Sequence, residues 1–419
     1  MERTKFTLSQ LVSLSLGMSF FFGFAQVTGY AARILFRATL GPEHYGVFAF
    51  LINLFIFYQG LNGLSLNVPI VARVSENPSD NAFYSDFISQ VFSISFISGL
   101  LLSATFFFYA SSVTELDLVL YLAAMILLSS TGQIMHCFPR GRERFKPTAV
   151  SLVLVGLGRI LLLLLFIFLG LTNLPFAMLV YTLPYLGWWV IYLYYEGRPS
   201  LSRPRLKFLL SVYTDAFVSY LIPLSVQIPI LLGIILLTGF HGFGVAGDFD
   251  IALIPYYALA SLIVGISFVT ISKARKLPDF RSTIKKMVPS LIIPMFFLSA
   301  IVIIAAFLFD FPIRLLLATL GLPVSTYWPV VLLISIGIPT NVLVSVLVSY
   351  FQGLGEIRQI AAVVVLCALG LIPLQVVLAY SLSFEGAMLS VVLANIVVAL
   401  VLLGYGHNAI KVTNAPERK

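Results

Sequence analysis

The stretch TAVSLVLVGLGRILLLLLFIFLG, residues 148–170, decides the kind of fold that this chain adopts. It carries one charge, an arginine, and as an α-helix it would be about 34 Å long. Since the hydrocarbon core of a bilayer is about 30 Å thick, the stretch predicts a membrane-spanning helix. Arg159 then lies near mid-membrane, where a guanidinium costs at least about 2.5 kcal/mol unless it faces a wet cavity or an anion. We therefore expect this chain to handle something negatively charged inside the membrane.

Similar apolar stretches recur along the whole chain. Hydrophobic residues make up 60% of the 419 residues, charged residues only 10%, and the mean hydropathy is +1.03. A water-soluble fold could not cover its surface with so little charge. The composition predicts an all-α polytopic membrane protein of about 12 transmembrane helices, the first of them a retained span and not a cleaved signal. The expected spans are residues 8–34, 46–72, 87–110, 118–138, 148–170, 176–195, 212–238, 249–271, 288–309, 327–350, 360–380 and 386–406.

Basic residues concentrate in alternate connections between these spans. Residues 140–146, 198–207 and 273–286 are rich in Lys and Arg, whereas the loops between them hold almost none. By the positive-inside rule this pattern predicts a multi-pass protein of the cell (plasma or inner) membrane with both termini in the cytoplasm. The net charge of +8 is thereby spread over short loops, so nucleic acid is not an expected partner.

The sequence lacks the motifs of common catalytic and metal sites. It contains no phosphate-binding loop of the Gly-Lys-Ser/Thr type and no cluster rich in His or Cys. Cys137 and Cys367 are far apart and indicate neither a disulfide framework nor a metal site. We expect no cofactor, no bound metal and no enzymatic activity.

Weak internal similarity divides the chain into two halves. Residues 40–49 resemble residues 243–252 at a shift of about 203, and residues 141–144 parallel residues 355–358. We expect a six-helix bundle at 1–195, a cytoplasmic linker at 196–211, a second six-helix bundle at 212–406 and a cytoplasmic tail at 407–419. An even number of spans per half makes the repeats parallel, and transporters built in this way bind substrate between the halves near the midplane.

Three segments carry a family resemblance. RILFRATLGPEHYGVFA (33–49), GFGVAGDFD (242–250) and YFQGLGEIR (350–358) resemble polysaccharide biosynthesis flippases. These belong to the multidrug, oligosaccharidyl-lipid and polysaccharide exporter superfamily. The resemblance implies a V-shaped pair of six-helix bundles that moves a lipid-diphosphate-linked sugar from the inner to the outer leaflet. It also implies a functional role for the basic pair Arg33 and Arg37 at the matching helix end.

Arginines are the best candidates to bind a diphosphate. Their planar fork of donors makes bidentate bonds to phosphate and stays protonated where water is scarce. Arg159 is the first candidate; the alternative is that it caps carbonyl groups or pairs with Asp215 or Asp248. Arg33 and Arg37 lie one helical turn apart and share a face, although snorkelling to the outer interface would also explain Arg37.

Polar side chains within the spans are candidates to bind the sugar. Gln26 and Asn53 lie in the first two spans, and Gln227 lies in the seventh between Pro223 and Pro229, which could kink that helix. Gly23 and Gly29 would similarly soften the first helix, making both helices possible gates. The alternative for each amide is an interhelical tie, which also holds for the further polar residues Asn62, Asn67 and Asn341.

Two other functions compete with a flippase. A cation-coupled drug exporter would bury a carboxylate, whereas every Asp and Glu here is expected in a loop or near a span end. A membrane glycosyltransferase would need acidic residues at a metal, but Asp248 and Asp250 are more simply first-turn acids of the eighth span. We therefore expect a flippase for a lipid-linked oligosaccharide that works by alternating access. Its expected partners are that anionic lipid, the bilayer and polysaccharide-assembly enzymes.

Overall fold

The computed structural model describes residues 8–63, 66–76, 78–202, 205–254, 256–257, 327–354 and 357–413, with isolated positions between 297 and 318. Every secondary-structure element in these ranges is a helix. Seven described helical stretches are long and apolar enough to cross a membrane, and two of them, Ser13–Glu76 and Val364–Leu402, each cover two expected spans. The prediction of an all-α polytopic membrane protein is confirmed. Most of the eighth and of the ninth expected spans lies outside the described residues.

The helices follow the expected spans closely. Up to residue 252 they are α1 (Leu8–Gly63), α2 (Asn67–Glu76), α3 (Asn81–Ala110), α4 (Leu116–Met135), α5 (Cys137–Gly141), α6 (Lys146–Phe168), α7 (Leu174–Thr182), a 3-10 turn (Leu183–Leu186), α8 (Gly187–Glu196), α9 (Leu206–His241) and α10 (Phe243–Ala252). The later described helices are α11 (Tyr327–Leu332), a π-helical turn (Leu333–Gly337), α12 (Ile338–Leu354) and α13 (Ile357–Thr413). The stretch quoted at the outset is α6.

Backbone breaks divide the two longest helices into pairs of spans. Within α1, Gly41 has φ 76° and ψ 170°, a conformation that glycine adopts without a Cβ clash. Pro42 follows, and its ring fits the first turn of a new helix while preventing continuation of the old one. Within α13, Ser383 has φ 50° and ψ −129°, between the last two expected spans.

Side-chain caps set helix starts that hydropathy alone misplaces. The third span was expected to begin at residue 87, but α3 begins at Asn81 because the Asp80 carboxylate accepts a hydrogen bond from the backbone N–H of Phe83 at 2.9 Å. The Asn173 side chain caps α7 in the same way, accepting from the N–H of Phe176 at 3.1 Å. Polar residues outside the apolar run therefore extend these helices toward water.

The chain forms two compact units. The first comprises Phe20–Tyr220 together with His241–Ile251, and the second comprises Met1–Ser19, Leu221–Phe240 and Ala252–Lys419. Within the first unit, the end of α4 and α5 pack with α2 and α3 around buried side chains such as Phe87 and Phe138. The expected division at 196–211 stays a prediction. Within that segment, the backbone N–H of Ser202 donates to Ser93 of α3, which fastens the connection to the first unit.

Candidate functional site

Arg159 lies inside the first unit and is only 1% exposed. Its Nη1 donates to the carbonyl of Ala25 at 2.7 Å, and its Nε donates to the carbonyl of Tyr181 at 3.4 Å. The guanidinium carbon lies 4.6 Å from the ring centroid of Tyr181 and 4.9 Å from that of Tyr185. Nη2 makes no hydrogen bond of normal geometry with the described residues. The geometry matches the carbonyl-capping alternative, and Nη2 is a buried nitrogen of Arg159 that is left without such a bond.

The acidic partners suggested for Arg159 bind other arginines. Asp248 pairs with Arg37 at 2.7 Å, and Asp215 approaches Arg73 at 3.7 Å. The alternative in which Asp215 or Asp248 pairs with Arg159 is therefore not what the structure shows, because each of these carboxylates lies beside another arginine. Arg159 instead contacts main-chain carbonyl groups and the negative faces of two tyrosine rings, which balance its charge in part.

Gly29 makes room for Arg159 on the first helix. A Cβ at this position would lie 2.9 Å from Nη1 of Arg159, closer than real Cβ contacts allow. The Arg159 guanidinium therefore crosses α1 at Gly29, which has no side chain, and so reaches the carbonyl of Ala25. This close approach gives the glycine a packing role, in addition to the softening of the helix expected from its sequence.

Arg33 completes a cluster of two arginines around Tyr181. Its Nη2 donates to the Tyr181 hydroxyl at 3.1 Å, and its guanidinium carbon lies 5.0 Å from the same ring centroid. Its Nη1 donates to Oδ1 of Asp250 at 2.7 Å, and the side chain is almost fully buried. Snorkelling to the interface is therefore not what positions Arg33.

Asp250 is a buried carboxylate that the sequence did not reveal. It is fully buried and lies near the end of α10, away from the first turn where a dipole-stabilising acid was expected. Besides Arg33, it accepts from the Tyr45 hydroxyl at 2.7 Å and from Nδ2 of Asn53 at 2.9 Å. Asp250 lies near a span end, as expected for every Asp and Glu, yet it is buried, because residues distant in sequence supply the donors that stabilise it here.

A second, more exposed ion pair lies beside the first. Arg37 donates to Oδ1 of Asp248 through Nη2 at 2.7 Å and through Nε at 3.2 Å. Arg33 and Arg37 are one turn apart on α1, while Asp248 and Asp250 both belong to α10. Two ion pairs therefore join the same two helices of the first unit.

Among the described residues, the fully buried part of this cluster carries more positive than negative charge. Arg33 and Arg159 both contact the ring of Tyr181, whereas Asp250 is the buried carboxylate that contacts either of them among the described residues. A buried guanidinium retains its proton, so this charge is balanced only in part by carbonyl groups and aromatic rings. The arrangement favours an anion, and the planar donor forks suit phosphate.

The polar candidates occupy three different settings. Asn53 donates to Asp250 and to the carbonyl of Ala49 at 2.8 Å, so it belongs to the cluster. Gln26 is half-buried and makes no hydrogen bond with the described residues, while Gln227 is exposed on α9 in the second unit. Binding roles for these three amides, and for Arg33, Arg37 and Arg159, stay predictions. Among the described residues no group of three His, Cys, Asp or Glu side chains is placed to hold a metal.

The segments that the internal similarity matched lie against one another. A Cβ on Gly46 would fall 1.9 Å from the carbonyl oxygen of Phe243, and a Cβ on Gly247 would fall 3.0 Å from Cα of Gly46. This contact between α1 and α10 requires glycine on both sides and brings Asp250 to Tyr45. Tyr45 and Tyr181 were missed as site residues, because aromatic residues in a membrane chain ordinarily read as lipid-facing bulk.

Comparison with known families identifies the chain. A sequence profile described as "Polysaccharide biosynthesis protein" matches residues 13–272, more than half of the chain. The chain belongs to this polysaccharide biosynthesis family. The family resemblance is thereby confirmed, and its first two segments, 33–49 and 242–250, lie within the matched residues. Comparison with curated protein sequences gives no match.

Solved structures of transporters share the fold of this polysaccharide biosynthesis family member. An inward-facing multidrug resistance MATE family transporter of the MOP superfamily is 17% identical, with a TM-score of 0.64 over 97% of this chain and 99% of the other. The Vibrio cholerae MATE transporter VcmN in its bent form is 13% identical, with a TM-score of 0.65 over 97% and 98%. MATE in complex with MaD5 is 16% identical, with a TM-score of 0.67 over 96% of each chain. At these identities the likeness establishes the fold.

Proposed function

We propose that this membrane protein is a flippase, which moves a lipid-diphosphate-linked oligosaccharide from the inner to the outer leaflet by alternating access. Membership of a polysaccharide biosynthesis family supports a saccharide substrate, and the fold shared with MATE transporters supports a carrier. The observation that carries the proposal is the excess of buried positive charge formed by Arg33 and Arg159 around Tyr181.

The physical demands of the substrate fit this cluster. The lipid tail can remain in the bilayer and the sugar needs hydrogen bonds, whereas the diphosphate is the costly part to bring to membrane depth. Two guanidiniums on one tyrosine ring offer charge-assisted donors to that group. A membrane potential negative inside would favour outward movement by about 2.3 kcal/mol per charge and 100 mV, so ion coupling is not required in principle.

Arg159 is the decisive residue for the test. We would measure transfer of a fluorescent lipid-diphosphate saccharide between leaflets of sealed vesicles that contain the purified protein, comparing wild type with Arg159→Ala and Arg159→Lys. Arg205→Ala is the matched control, since Arg205 is 72% exposed in a loose 3.6 Å pair with Asp86. We expect transfer in the wild type and the control, and loss of transfer in both Arg159 variants although they insert normally.

Two other outcomes of the transfer experiment would lead to different conclusions. Full transfer by Arg159→Ala would keep the flippase and reduce Arg159 to a clamp on the Ala25 carbonyl. Absence of transfer by the wild type with several lipid carriers would contradict the flippase itself.

A cation-coupled small-molecule exporter is the second candidate. The fully buried Asp250 supports it, because a buried carboxylate can exchange a proton or cation during a transport cycle, and the similar structures are of multidrug transporters. Proton-driven accumulation of cationic dyes by the same vesicles, abolished by Asp250→Asn, would favour this function over the flippase.

The orientation and partners are also proposals. We propose that both termini lie in the cytoplasm, as the loop charges predict, and that the protein works beside polysaccharide-assembly enzymes in the cell membrane. The test uses a C-terminal reporter that works only in the periplasm or outside the cell. Activity of this reporter would contradict the proposed orientation.

A further inference from the structure

Asp250 makes the contacts that a phosphate oxygen would make at Arg33. Its Oδ1 accepts from Nη1 of Arg33 at 2.7 Å, in a place from which the adjacent Nη2 reaches the Tyr181 hydroxyl. Carboxylates and phosphates bind guanidinium groups through the same donors and at similar distances. A diphosphate that binds Arg33 must therefore compete with Asp250.

We propose that Asp250 is an internal counter-ion that holds the Arg33 subsite when no substrate is bound, and that the lipid diphosphate displaces it. This inference rests on the proposed flippase function. A diphosphate carries more charge than one carboxylate and can engage both Arg33 and Arg159, since both guanidiniums lie within 5.0 Å of the centroid of the Tyr181 ring. The diphosphate is therefore expected to bind the two buried guanidiniums more strongly than the Asp250 carboxylate does.

Displacement would leave Asp250 with neutral donors only. Tyr45 and Asn53 each give it one hydrogen bond, and a buried carboxylate without a cation is costly. The carboxylate is then expected to leave its buried site, and we expect α10 to move with it. Among the described residues, α10 is also tied to α1 by the more exposed Arg37–Asp248 pair, by the glycine contact at Gly46 and by the ring contact of Phe50 with Phe243.

The position of α10 in the chain gives this exchange a consequence. Residues His241–Ile251 belong to the first unit, while the chain on both sides of them, Leu221–Phe240 and Ala252 onward, belongs to the second. Movement of α10 on displacement of Asp250 is therefore transmitted through the main chain to the second unit. Occupancy of the anion subsite would in this way be coupled to the conformational step of transport.

Affinity for a prenyl diphosphate tests the competition directly. The probe is a short-chain prenyl diphosphate, with the matching prenol as the uncharged control, bound to purified protein in lipid nanodiscs. Removing an internal competitor raises apparent affinity, so we expect Asp250→Asn to bind the diphosphate about fivefold or more tightly than the wild type. Asp215→Asn, which removes the same charge from the loose pair with Arg73, should bind like the wild type. A purely structural Asp250 predicts equal or weaker binding in the variant, and that result would overturn the proposal.

Crosslinking in a chain with Asp250 intact covers the case in which Asp250→Asn fails to fold. The rings of Phe50 and Phe243 lie 5.8 Å apart, across the contact of α1 with α10. We would place cysteines at both positions, replace Cys137 and Cys367 by serine, and join the new thiols with a short bifunctional reagent. The diphosphate should lower the crosslinked fraction and the prenol should not. An unchanged fraction at saturating diphosphate contradicts displacement, whereas wild-type vesicles that bind the probe but transfer no lipid-linked saccharide contradict only the flippase.

Discussion

Gly29 and Arg159 meet where the Arg159 side chain, which extends from α6, crosses the first helix, at a spacing that admits a Cβ only if the guanidinium shifts. A methyl group on Gly29 would lie 2.9 Å from Nη1, the atom that donates to the carbonyl of Ala25. The buried charge and the glycine that admits it are 130 residues apart in the sequence. Each is unusual alone, and the structure shows that one accommodates the other.

Enlarging Gly29 should destabilise the protein through Arg159. We expect Gly29→Val to lower the free energy of unfolding by about 2–4 kcal/mol, because the guanidinium must give up the Ala25 carbonyl and remain buried. The measurement is reversible unfolding in mixed micelles. Gly17→Ala is the control, since a Cβ there has no atom within 4 Å.

A mutant cycle separates this effect from general crowding. In the background of Arg159→Met, the cost of Gly29→Val should fall by at least about 1 kcal/mol, because the displaced group is no longer charged. Equal costs in both backgrounds would show that Gly29 serves helix packing alone.

The two ion pairs between α1 and α10 should differ in strength. Arg33 and Asp250 have side chains 3% and 0% exposed, whereas Arg37 and Asp248 are 11% and 25% exposed. Removing one member of the buried pair should cost about 3–5 kcal/mol, and removing both should cost much less than the sum. The cycle of Arg33→Gln with Asp250→Asn should therefore give a coupling energy above about 2 kcal/mol, and that of Arg37→Gln with Asp248→Asn at most about 1 kcal/mol. Equal coupling in the two cycles would contradict the burial described for Asp250.

Asn62 is expected to be an interhelical tie and not a sugar ligand. Its Nδ2 donates to Ser130 at 2.6 Å, and its Oδ1 accepts from Ser98 at 2.6 Å, which joins the first helix to α3 and α4. Asn62→Leu should lower stability by about 0.6–2 kcal/mol and leave the transfer rate of the folded protein unchanged. Asn67→Leu is the control, because the side chain of Asn67, at the start of α2, makes no hydrogen bond with the described residues. A stable Asn62→Leu protein with impaired transfer would return Asn62 to the binding candidates.

Hydropathy was sufficient for the membrane spans but not for their interruptions. The stretch 148–170 became α6 with its ends displaced by two residues, since an apolar run of membrane length leaves the backbone no alternative to a helix. In the second span, by contrast, the described residue Leu66 lies in a turn directly before α2 begins at Asn67. Leu66 is fully buried and apolar, so hydropathy does not reveal this turn.

Only some residues of the buried cluster could be predicted from the sequence, for a related reason. Arg159 could be predicted from the sequence as a candidate, because a charge in the middle of an apolar run has no ordinary explanation. Asp250 lies 217 positions from Arg33, near a span end where an acidic residue is usually explained by water or a helix dipole. Its burial depends on the Gly46 contact between distant helices, and no local pattern reports such a contact.

Chemical labelling at Gln227 tests whether the exposed surface of α9 at this residue faces water or lipid. It is exposed on α9, and an amide facing hydrocarbon would leave its polar atoms without partners, so we expect it to face water. In a chain with Cys137 and Cys367 replaced by serine, Gln227→Cys should react with a water-soluble, membrane-impermeant maleimide in open vesicles. Leu161→Cys is the matched control, since Leu161 is 66% exposed in the middle of the apolar helix α6 and should remain unlabelled in lipid. Protection of Gln227→Cys from labelling by a lipid-diphosphate saccharide would place the residue beside the substrate. Absence of any labelling would indicate that its side chain faces lipid, and Gln227 would then no longer be a sugar-binding candidate.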